Sequence, residues 1–368
     1  MFELIKFNPW LVGCNLIMIL IGYLIVFPAL KYPYCLTKSR RQFAYCLIVV
    51  FCVFAFWGSD FFHIYDDYKE LVSTGWELEY VYHLIAKDIV PDNYFLWRLI
   101  VWGFATILIA KTFKRVRVNQ DLAVCFFLMI WILWFSYARV SLSMAMVFLG
   151  LAIISNSQSS LFSWLYGLVF ISASLFFHKS AGFAVCVSIL SLLVPNKWNK
   201  KWFIVLLCFP LMVYFARTYL STYLIGDLSS NNEEITSYIE RGQNYMNNDS
   251  YIQGFGYLLG QLFERIPYYM IYVSSLRLLI YKTYSVDNKC IMVFMKAMAL
   301  LVTVASVFAF DISINTQLIY ERFMRFSFIP SCVLLTYFWC NNIYPKWQKW
   351  TFHIAWIGSL YQIVYMLY

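Results

Sequence analysis

Apolar residues run in long stretches along the whole chain, and short polar segments separate them. A stretch of roughly 17–25 apolar residues crosses a hydrocarbon core of about 30 Å as a helix. None of the stretches has the two-residue alternation of an outer-membrane barrel strand. The pattern therefore predicts an all-α, polytopic integral membrane protein. We expect about twelve transmembrane helices, over residues 10–30, 43–58, 95–111, 121–138, 140–155, 161–177, 181–195, 202–220, 262–281, 291–310, 323–340 and 350–367.

Two longer polar segments interrupt this succession of helices. Residues 59–94 are rich in Tyr, Trp, Asp and Glu, and residues 221–261 are polar at first and then apolar and Gly-rich. The Gly-rich part predicts a segment at the membrane interface before the ninth helix. We expect residues 1–368 to form a single transmembrane helical domain that contains both segments, with the first apolar stretch retained as a helix.

Composition agrees with the pattern and limits the class of partner. Hydrophobic residues make up 62% of the chain, charged residues make up 13%, and the mean hydropathy is +0.66, which excludes a soluble domain of this length. The net charge of +9 does not indicate a nucleic acid partner, because the basic residues lie in short loops rather than on one surface. Their distribution instead indicates how the protein is oriented in the membrane, because Lys and Arg are enriched in cytosolic loops.

The loops fall into two sets that differ in charge. One set holds fifteen Lys and Arg residues against two acids, Asp121 and Asp287. It comprises residues 31–42, 111–121, 155–160, 196–201, 281–290 and 341–350. By the positive-inside rule these loops are cytosolic, and the segments 59–94 and 221–261 lie on the outer side of the membrane.

Helix length then predicts two turns at the outer face. Residues 121–155 would measure about 52 Å as one helix, far more than the bilayer core, so the run must reverse near its centre, where Arg139 lies. The same arithmetic for 161–195 places a turn at His178 and Lys179. Both turns reach the outer face because the spans alternate in direction.

Cations collect at this outer face, against the positive-inside trend. Charges inside a membrane are costly, and those that cannot extend to the headgroups are candidates for function. Guanidinium groups bind phosphate oxygens in pairs and stay charged when partly desolvated, so a lipid-linked phosphate or diphosphate is a suitable partner. Local carboxylates such as Glu264 and Glu321 are the alternative partner. The cations are Arg98, Arg139, Lys179, Arg217, Arg265, Arg322 and Arg325.

His178 is the first candidate for a general base, since an imidazole at an outer turn can accept the proton of a sugar hydroxyl. A structural histidine at the interface is the alternative. The paired acids Asp66 and Asp67 in the first outer segment suit either a divalent metal or a solvated helix end. The sequence contains no CxxC pair, no HExxH and no Gly-rich phosphate loop, so we expect no metal and no cofactor.

Several segments resemble one family in order and spacing. ARVSLSMAMVFLGLAI followed by SASLFFHKSAGFAVCVSIL is similar to the EpsG-type branch of the Wzy polysaccharide polymerases. GSDFFHIYDDY with WELEY resembles the first outer segment of that family, and ERFMRFSFIP resembles its late arginine-bearing helix. The sequence departs from the family pattern at Val140, where glutamine would follow the arginine.

The resemblance implies a polymerase of O-antigen or a related surface polysaccharide in the bacterial inner membrane. Its substrates would be two undecaprenyl-diphosphate-linked oligosaccharides. The growing chain is the donor, a hydroxyl of one repeat unit attacks its anomeric carbon, and undecaprenyl diphosphate leaves. A chain-length regulator and a flippase are the expected protein partners. Such an enzyme would be a metal-independent membrane glycosyltransferase.

For this reaction the sequence offers candidate residues in two roles. Arginines can stabilise the charge that develops on the leaving diphosphate without a metal. The diphosphate-binding candidates are Arg139, Arg322 and Arg325, followed by Lys179 and Arg265. The proton acceptor is His178, with Asp60, Asp66 and Glu77 in reserve. Two other functions stay open, a polyprenyl-monophosphate-sugar glycosyltransferase with a metal at Asp66 and Asp67, and a transporter or flippase of lipid-linked sugars.

Overall fold

The computed structural model of the protein describes most of the predicted helices and a small part of the two outer segments. The described residues are 9–54, 68, 80–90, 93–135, 138–156, 160–178, 181–196, 198–202, 204–206, 208–213, 255–281, 284–309 and 314–365. Throughout these ranges the regular elements are helices, and no strand occurs in them. The predicted all-α membrane protein is confirmed at this level.

The helices are numbered along the chain. The first part contains α1 (Pro9–Val26), α2 (Pro28–Lys31), α3 (Lys38–Val53), α4 (Tyr80–Leu84) with a π-helical turn at Ile85–Ile89, α5 (Tyr94–Val116), α6 (Gln120–Phe126) with a π-helical stretch at Phe127–Trp131, and α7 (Ile132–Phe135). The second contains α8 (Ala138–Asn156), α9 (Leu161–Ala173) with a 3₁₀ turn at Ser174–Phe176, α10 (Ala181–Leu193), α11 (Phe255–Tyr281), α12 (Lys289–Ala305) with a 3₁₀ turn at Ser306–Phe308, α13 (Ile314–Arg325), α14 (Phe328–Cys340) and α15 (Pro345–Tyr365).

Hydrogen bonds between helix ends define two ends of the bundle. The Asn156 side chain donates to the Arg115 carbonyl at 2.8 Å, and the Asn288 side chain donates to the Val116 carbonyl at 2.9 Å. The end of α5, the end of α8 and the start of α12 therefore lie together. We call this the basic end, since the basic loops adjoin it, and the opposite end, where α5 begins, the turn end.

Both predicted reversals are present. The run from Gln120 to Asn156 leaves the basic end and returns to it, so the helices before and after residues 136–137 run in opposite directions. The run that starts with α9 also returns, because the carbonyl of Val194 accepts a hydrogen bond from the side chain of Lys296 in the first half of α12, the half nearer the basic end. Its turn follows the 3₁₀ segment and contains His178. Helix length was thus a sufficient guide to both turns.

Lys296 itself differs from the expectation for a basic residue near a helix end. Its side chain would be expected to extend to the headgroups, but it is only 1% exposed. The ammonium group donates to the Val194 carbonyl at 2.7 Å and to the Asn196 side chain at 3.0 Å. Lys296 therefore satisfies acceptor groups just beyond the end of α10, where the helix leaves carbonyls without partners.

Helix α8 is the centre of the described bundle. It packs against α5, α9, α10, α12 and α14, and its residues from Ser141 to Ile154 are all buried. A helix that is apolar on every side needs such a position. Its closest neighbour is α9, where a Cβ built on Gly150 would lie 2.5 Å from the Gly167 carbonyl oxygen. Glycine at both positions lets the two backbones touch.

The close crossing predicts that a change from glycine to alanine has opposite effects on stability at Gly150 and at Gly103. Gly150→Ala forces α8 and α9 apart and lowers the free energy of unfolding by about 1–3 kcal/mol. Gly103→Ala, in the interior of α5 with nothing within 4 Å of the added Cβ, stabilises the helix by about 0.5–1 kcal/mol. Thermal melts of both variants in detergent measure the difference. Equal melting temperatures would contradict the close crossing.

Three of the described helical stretches are long and apolar enough to cross a membrane. They are Gly13–Lys31, Tyr94–Val116 and Lys289–Phe308. Shorter apolar helices cover Gln120–Trp131, Val140–Asn156, Leu161–Phe176, Ala181–Leu193 and Phe328–Cys340. The count of twelve spans and the division into one domain with two outer segments stay predictions.

Two predicted boundaries differ from the observed helices. The stretch 323–340, predicted as one span, is divided between α13 and α14. Pro330 explains the break, because its ring excludes a helical bond to the carbonyl four residues earlier, at Phe326. Helix α11 begins at Phe255, inside the predicted outer segment 221–261, and the Gly-rich interfacial stretch is partly the first turns of this helix.

Candidate active site

His178 lies in the reversal that joins α9 to α10. Its backbone N–H donates to the Ser174 carbonyl at 3.2 Å, and its own carbonyl accepts from the N–H of Ala181 at 3.0 Å. The residue is half-buried at the turn end of the bundle. The 3₁₀ turn before it packs against α8 and α10, so the position of His178 is fixed by three helices.

The first turn of α10 brings this reversal against α13. The Phe183 ring lies 4.4 Å from the Phe323 ring, centroid to centroid, and 6.4 Å from the Phe326 ring. Phe323 also contacts Phe308 at the end of α12 at 5.4 Å. Since Phe323 lies between Arg322 and Arg325 in sequence, the arginine-bearing turn of α13 is next to the helix that begins just after His178.

Arg322 and Arg325 occupy one face of α13, since residues three apart in a helix are neighbours. Arg322 is exposed, and the side chain of Arg325 is 14% exposed. A guanidinium nitrogen of Arg325 lies 3.9 Å from a carboxylate oxygen of Glu321, which is a loose ion pair at the distance limit. The sequence offered Glu321 as one local carboxylate partner for these cations, and the structure pairs it with Arg325.

Arg265 approaches the same helix from α11. Its guanidinium carbon lies 4.3 Å from the centre of the Tyr320 ring. Hydrogen bonds of Tyr269 to Ser306 (2.7 Å) and of Tyr272 to Thr303 (3.1 Å) set this part of α11 beside the end of α12. Arg265 therefore lies at the turn end, against α13, the helix that carries the arginine pair.

Other predicted site residues lie wholly or partly outside the described residues. Asp60, Asp66, Glu77 and Lys179 are among those that the structure does not describe. Arg139 is the second residue of α8, so its backbone is at the turn end, and its side chain lies outside the described part. Their roles stay predictions.

Part of the first outer segment packs next to the His178 turn. Tyr82 in α4 contacts Phe177 at 5.8 Å and Trp97 at 5.7 Å between ring centroids. Tyr68 donates to the Val90 carbonyl and packs on Trp97. Tyr68 is 4% exposed and Tyr82 is fully buried. They form an interior cluster of rings that holds the outer segment against α5.

Arg98 has a structural role that sequence reasoning missed. It is 1% exposed, and its guanidinium donates to the carbonyls of Cys52 (2.6 Å) and Val53 (3.0 Å) and to the hydroxyl of Tyr94 (2.8 Å). The group also lies 4.2 Å from the centre of the Trp102 ring. It therefore satisfies the last carbonyls of α3, and one of the seven cations that the sequence grouped as outer-face candidates is bound by the protein itself.

Substitution of Arg98 tests this role. Arg98→Met leaves carbonyls of α3 without donors, at about 1–3 kcal/mol for each buried group, so the melting temperature in detergent falls by several degrees. Arg98→Lys does not restore the melting temperature, because an ammonium group lacks the planar, forked set of N–H donors with which the guanidinium reaches both carbonyls. The matched control is Arg322→Met, an exposed position. A variant Arg98→Met that melts like the wild type would contradict the capping role.

Metal binding is not supported by the described side chains. Among them, no three His, Cys, Asp or Glu side chains are grouped so that they could hold a metal ion. Asp66 and Asp67 lie outside this part of the chain, so the metal-independent chemistry predicted from the sequence remains to be measured with a chelator.

Comparison with known proteins adds the family. The family model described as the EpsG family matches residues 56–368, which include both outer segments and all the candidate site residues. No curated protein and no solved structure matches the chain. The EpsG family comprises Wzy-like polysaccharide polymerases and glycosyltransferase-like membrane proteins. The match covers well over half of the sequence, and the chain belongs to the EpsG family.

Proposed function

We propose that the protein joins undecaprenyl-diphosphate-linked oligosaccharide repeat units into O-antigen or a related surface polysaccharide. The reaction takes place at the turn end of the bundle, and undecaprenyl diphosphate is the leaving group. The observation that carries this proposal is the contact of Phe183 with Phe323, which sets the His178 reversal beside the arginine pair of α13. Family membership supplies the reaction class.

The chemistry needs a proton acceptor and a group that stabilises a diphosphate. A hydroxyl oxygen of the acceptor repeat unit forms a bond to the anomeric carbon of the donor chain, and the bond from that carbon to the diphosphate oxygen breaks. The hydroxyl proton passes to an imidazole nitrogen of His178. The electron pair of the broken bond stays on undecaprenyl diphosphate, whose charge faces the guanidinium groups.

The charge balance on α13 suits an anionic ligand. Arg265, Arg322 and Arg325 contribute three positive charges at this helix, and Glu321 contributes one negative charge among the side chains that the structure describes. Arg322, the exposed member of the pair, is the first diphosphate ligand, and Arg325 is the second. Arg139 and Lys179, on the two reversals, complete the proposed binding site.

We assign the turn end to the periplasm and the basic end to the cytosol, in the inner membrane of a bacterium. The support is the concentration of Lys and Arg in the loops of the basic end. In this orientation the site receives repeat units that a flippase has delivered. A chain-length regulator would act on the same face.

The experiment is a reconstitution with one defined undecaprenyl-diphosphate repeat unit, with and without chelator. Under the proposal, purified protein converts the unit into a ladder of oligomers, visible on a gel, and chelator has no effect. Loss of the ladder in chelator would instead favour a metal-dependent glycosyltransferase at Asp66 and Asp67. Movement of the lipid across vesicles without bond formation would make the protein a flippase.

A further inference from the structure

A cavity of about 440 Å³ lies at the basic end, far from the candidate active site. It is bounded by the end of α5, the end of α8 and the middle of α9, and both α5 and α9 pack on α8. The Gly150–Gly167 crossing holds α8 and α9 in contact beside it. The cavity is therefore a fixed cleft between α5 and α9, which both pack on α8.

The cavity lining is divided between charge and apolar surface. Lys111, Lys114 and Arg115 are exposed and contribute three positive charges from the last turns of α5. Leu149 and Ile153 are buried and form apolar surface on α8. A ligand that fits this lining has an anionic group joined to a hydrocarbon part.

Aromatic rings form the wall on α9. Tyr166 and Phe170 line the cavity, and their rings meet edge to face at 5.1 Å. Phe162 stacks on Tyr166 one turn earlier, at 6.5 Å, and is 78% exposed. This row of exposed rings continues the apolar wall along the surface of the bundle, where lipid chains would lie.

The cations are not needed for the structure of the helix end. A helix leaves its last carbonyls without partners, and basic side chains often satisfy them. In this protein the amides of Asn156 and Asn288 bond the carbonyls of Arg115 and Val116. Among the described residues, no carboxylate lies within ion-pairing distance of Lys111, Lys114 or Arg115. Their positive charge is available to a ligand.

From this arrangement we infer that the cavity binds an anionic glycerophospholipid of the leaflet at the basic end, with its phosphate at Lys111, Lys114 and Arg115 and its acyl chains along Tyr166 and Phe170. Basic pockets between transmembrane helices on the cytosolic side are suited to such headgroups. Ligand cavities of about 300–1,000 Å³ are usual, and this one falls within that range. The inference does not depend on the proposed polymerase function.

Lipid binding to the purified full chain tests the site. Native mass spectrometry would compare dioleoyl-phosphatidylglycerol with dioleoyl-phosphatidylcholine, which has the same acyl chains and no net charge. Each cation near an anionic headgroup contributes about 1 kcal/mol, so Lys111→Gln/Lys114→Gln/Arg115→Gln binds phosphatidylglycerol about 100-fold more weakly than the wild type. The single change Lys114→Gln, at an exposed position, lowers the affinity for phosphatidylglycerol about fivefold. This variant tests the site if the triple variant fails to fold.

The matched control removes three exposed cations from the first turns of α3 and α15 at the basic end, as Lys38→Gln/Arg40→Gln/Lys346→Gln. This control keeps wild-type affinity within about threefold if the cavity is the site. An equal loss in the control and cavity variants would overturn the inference in favour of general charge attraction. It would also be overturned if phosphatidylcholine bound as tightly, or if soluble glycerol phosphate displaced the lipid at equal concentration.

Discussion

Arg322→Ala and Arg325→Ala each lower polymer formation about 10²–10³-fold and leave the protein folded in the membrane. The reason is electrostatic, since each change removes a guanidinium group from the face of α13 that would meet the leaving diphosphate. Arg322 is exposed, so its loss costs the fold little. Arg325 is paired loosely with Glu321, at 3.9 Å, and this ion pair is lost in the alanine variant.

Polymer length on a gel, together with the initial rate of ladder formation from a purified repeat unit, measures the effect. Arg322→Lys keeps a positive charge without the two-pronged geometry, and we expect it to be slower than the wild type and faster than alanine. Arg40→Ala, an exposed cation at the start of α3, is the matched control and retains the full rate. A normal ladder from both α13 variants would remove this helix from the proposed site.

His178→Gln is expected to lower the rate about 10²–10⁴-fold with lipid binding unchanged. Glutamine keeps hydrogen-bonding groups at the reversal but cannot accept the proton of the attacking hydroxyl. The readout therefore separates rate from affinity, and a purely structural histidine would alter both through misfolding. The backbone bonds of His178 to Ser174 and Ala181 do not depend on the side chain, so the reversal itself is retained.

His353→Gln is the control for this substitution, because His353 is an exposed histidine of α15 away from the turn end. We expect its ladder to match that of the wild type. If His178→Gln also produced a normal ladder, the base would be sought among Asp60, Asp66 and Glu77. Substitution of those three acids would then identify the group that accepts the proton.

Helix length and charge counting account for the part of the fold that bears on the site. The reversals near Arg139 and His178 follow from a bilayer core too thin for 35 residues of helix, which is a constraint that any sequence reader can apply. The break between α13 and α14 was also within reach, because Pro330 has no N–H to bond the Phe326 carbonyl and so favours a kink or a break there. The apolar pattern hid it, since both sides of the break are apolar.

The roles of individual polar residues could not be predicted in the same way. Arg98 and Arg322 have the same side chain and both lie near an outer helix end in the sequence. One donates to the carbonyls of Cys52 and Val53, 45 or more positions away, and the other is exposed on α13. Such long-range partners are set by packing and leave no local signal. The burial of Tyr68 and Tyr82 against Trp97 escaped prediction for the same reason.

Binding of undecaprenyl diphosphate, the leaving group itself, is the most direct test of the arginine site. Detergent-purified wild type and Arg322→Ala/Arg325→Ala would be titrated with this lipid, with Arg40→Ala as the control. The proposed site predicts that the double variant binds at least about tenfold more weakly, a loss of about 1.4 kcal/mol or more, and that the control binds like the wild type. Equal affinity in all three proteins would contradict the assignment of the diphosphate to α13.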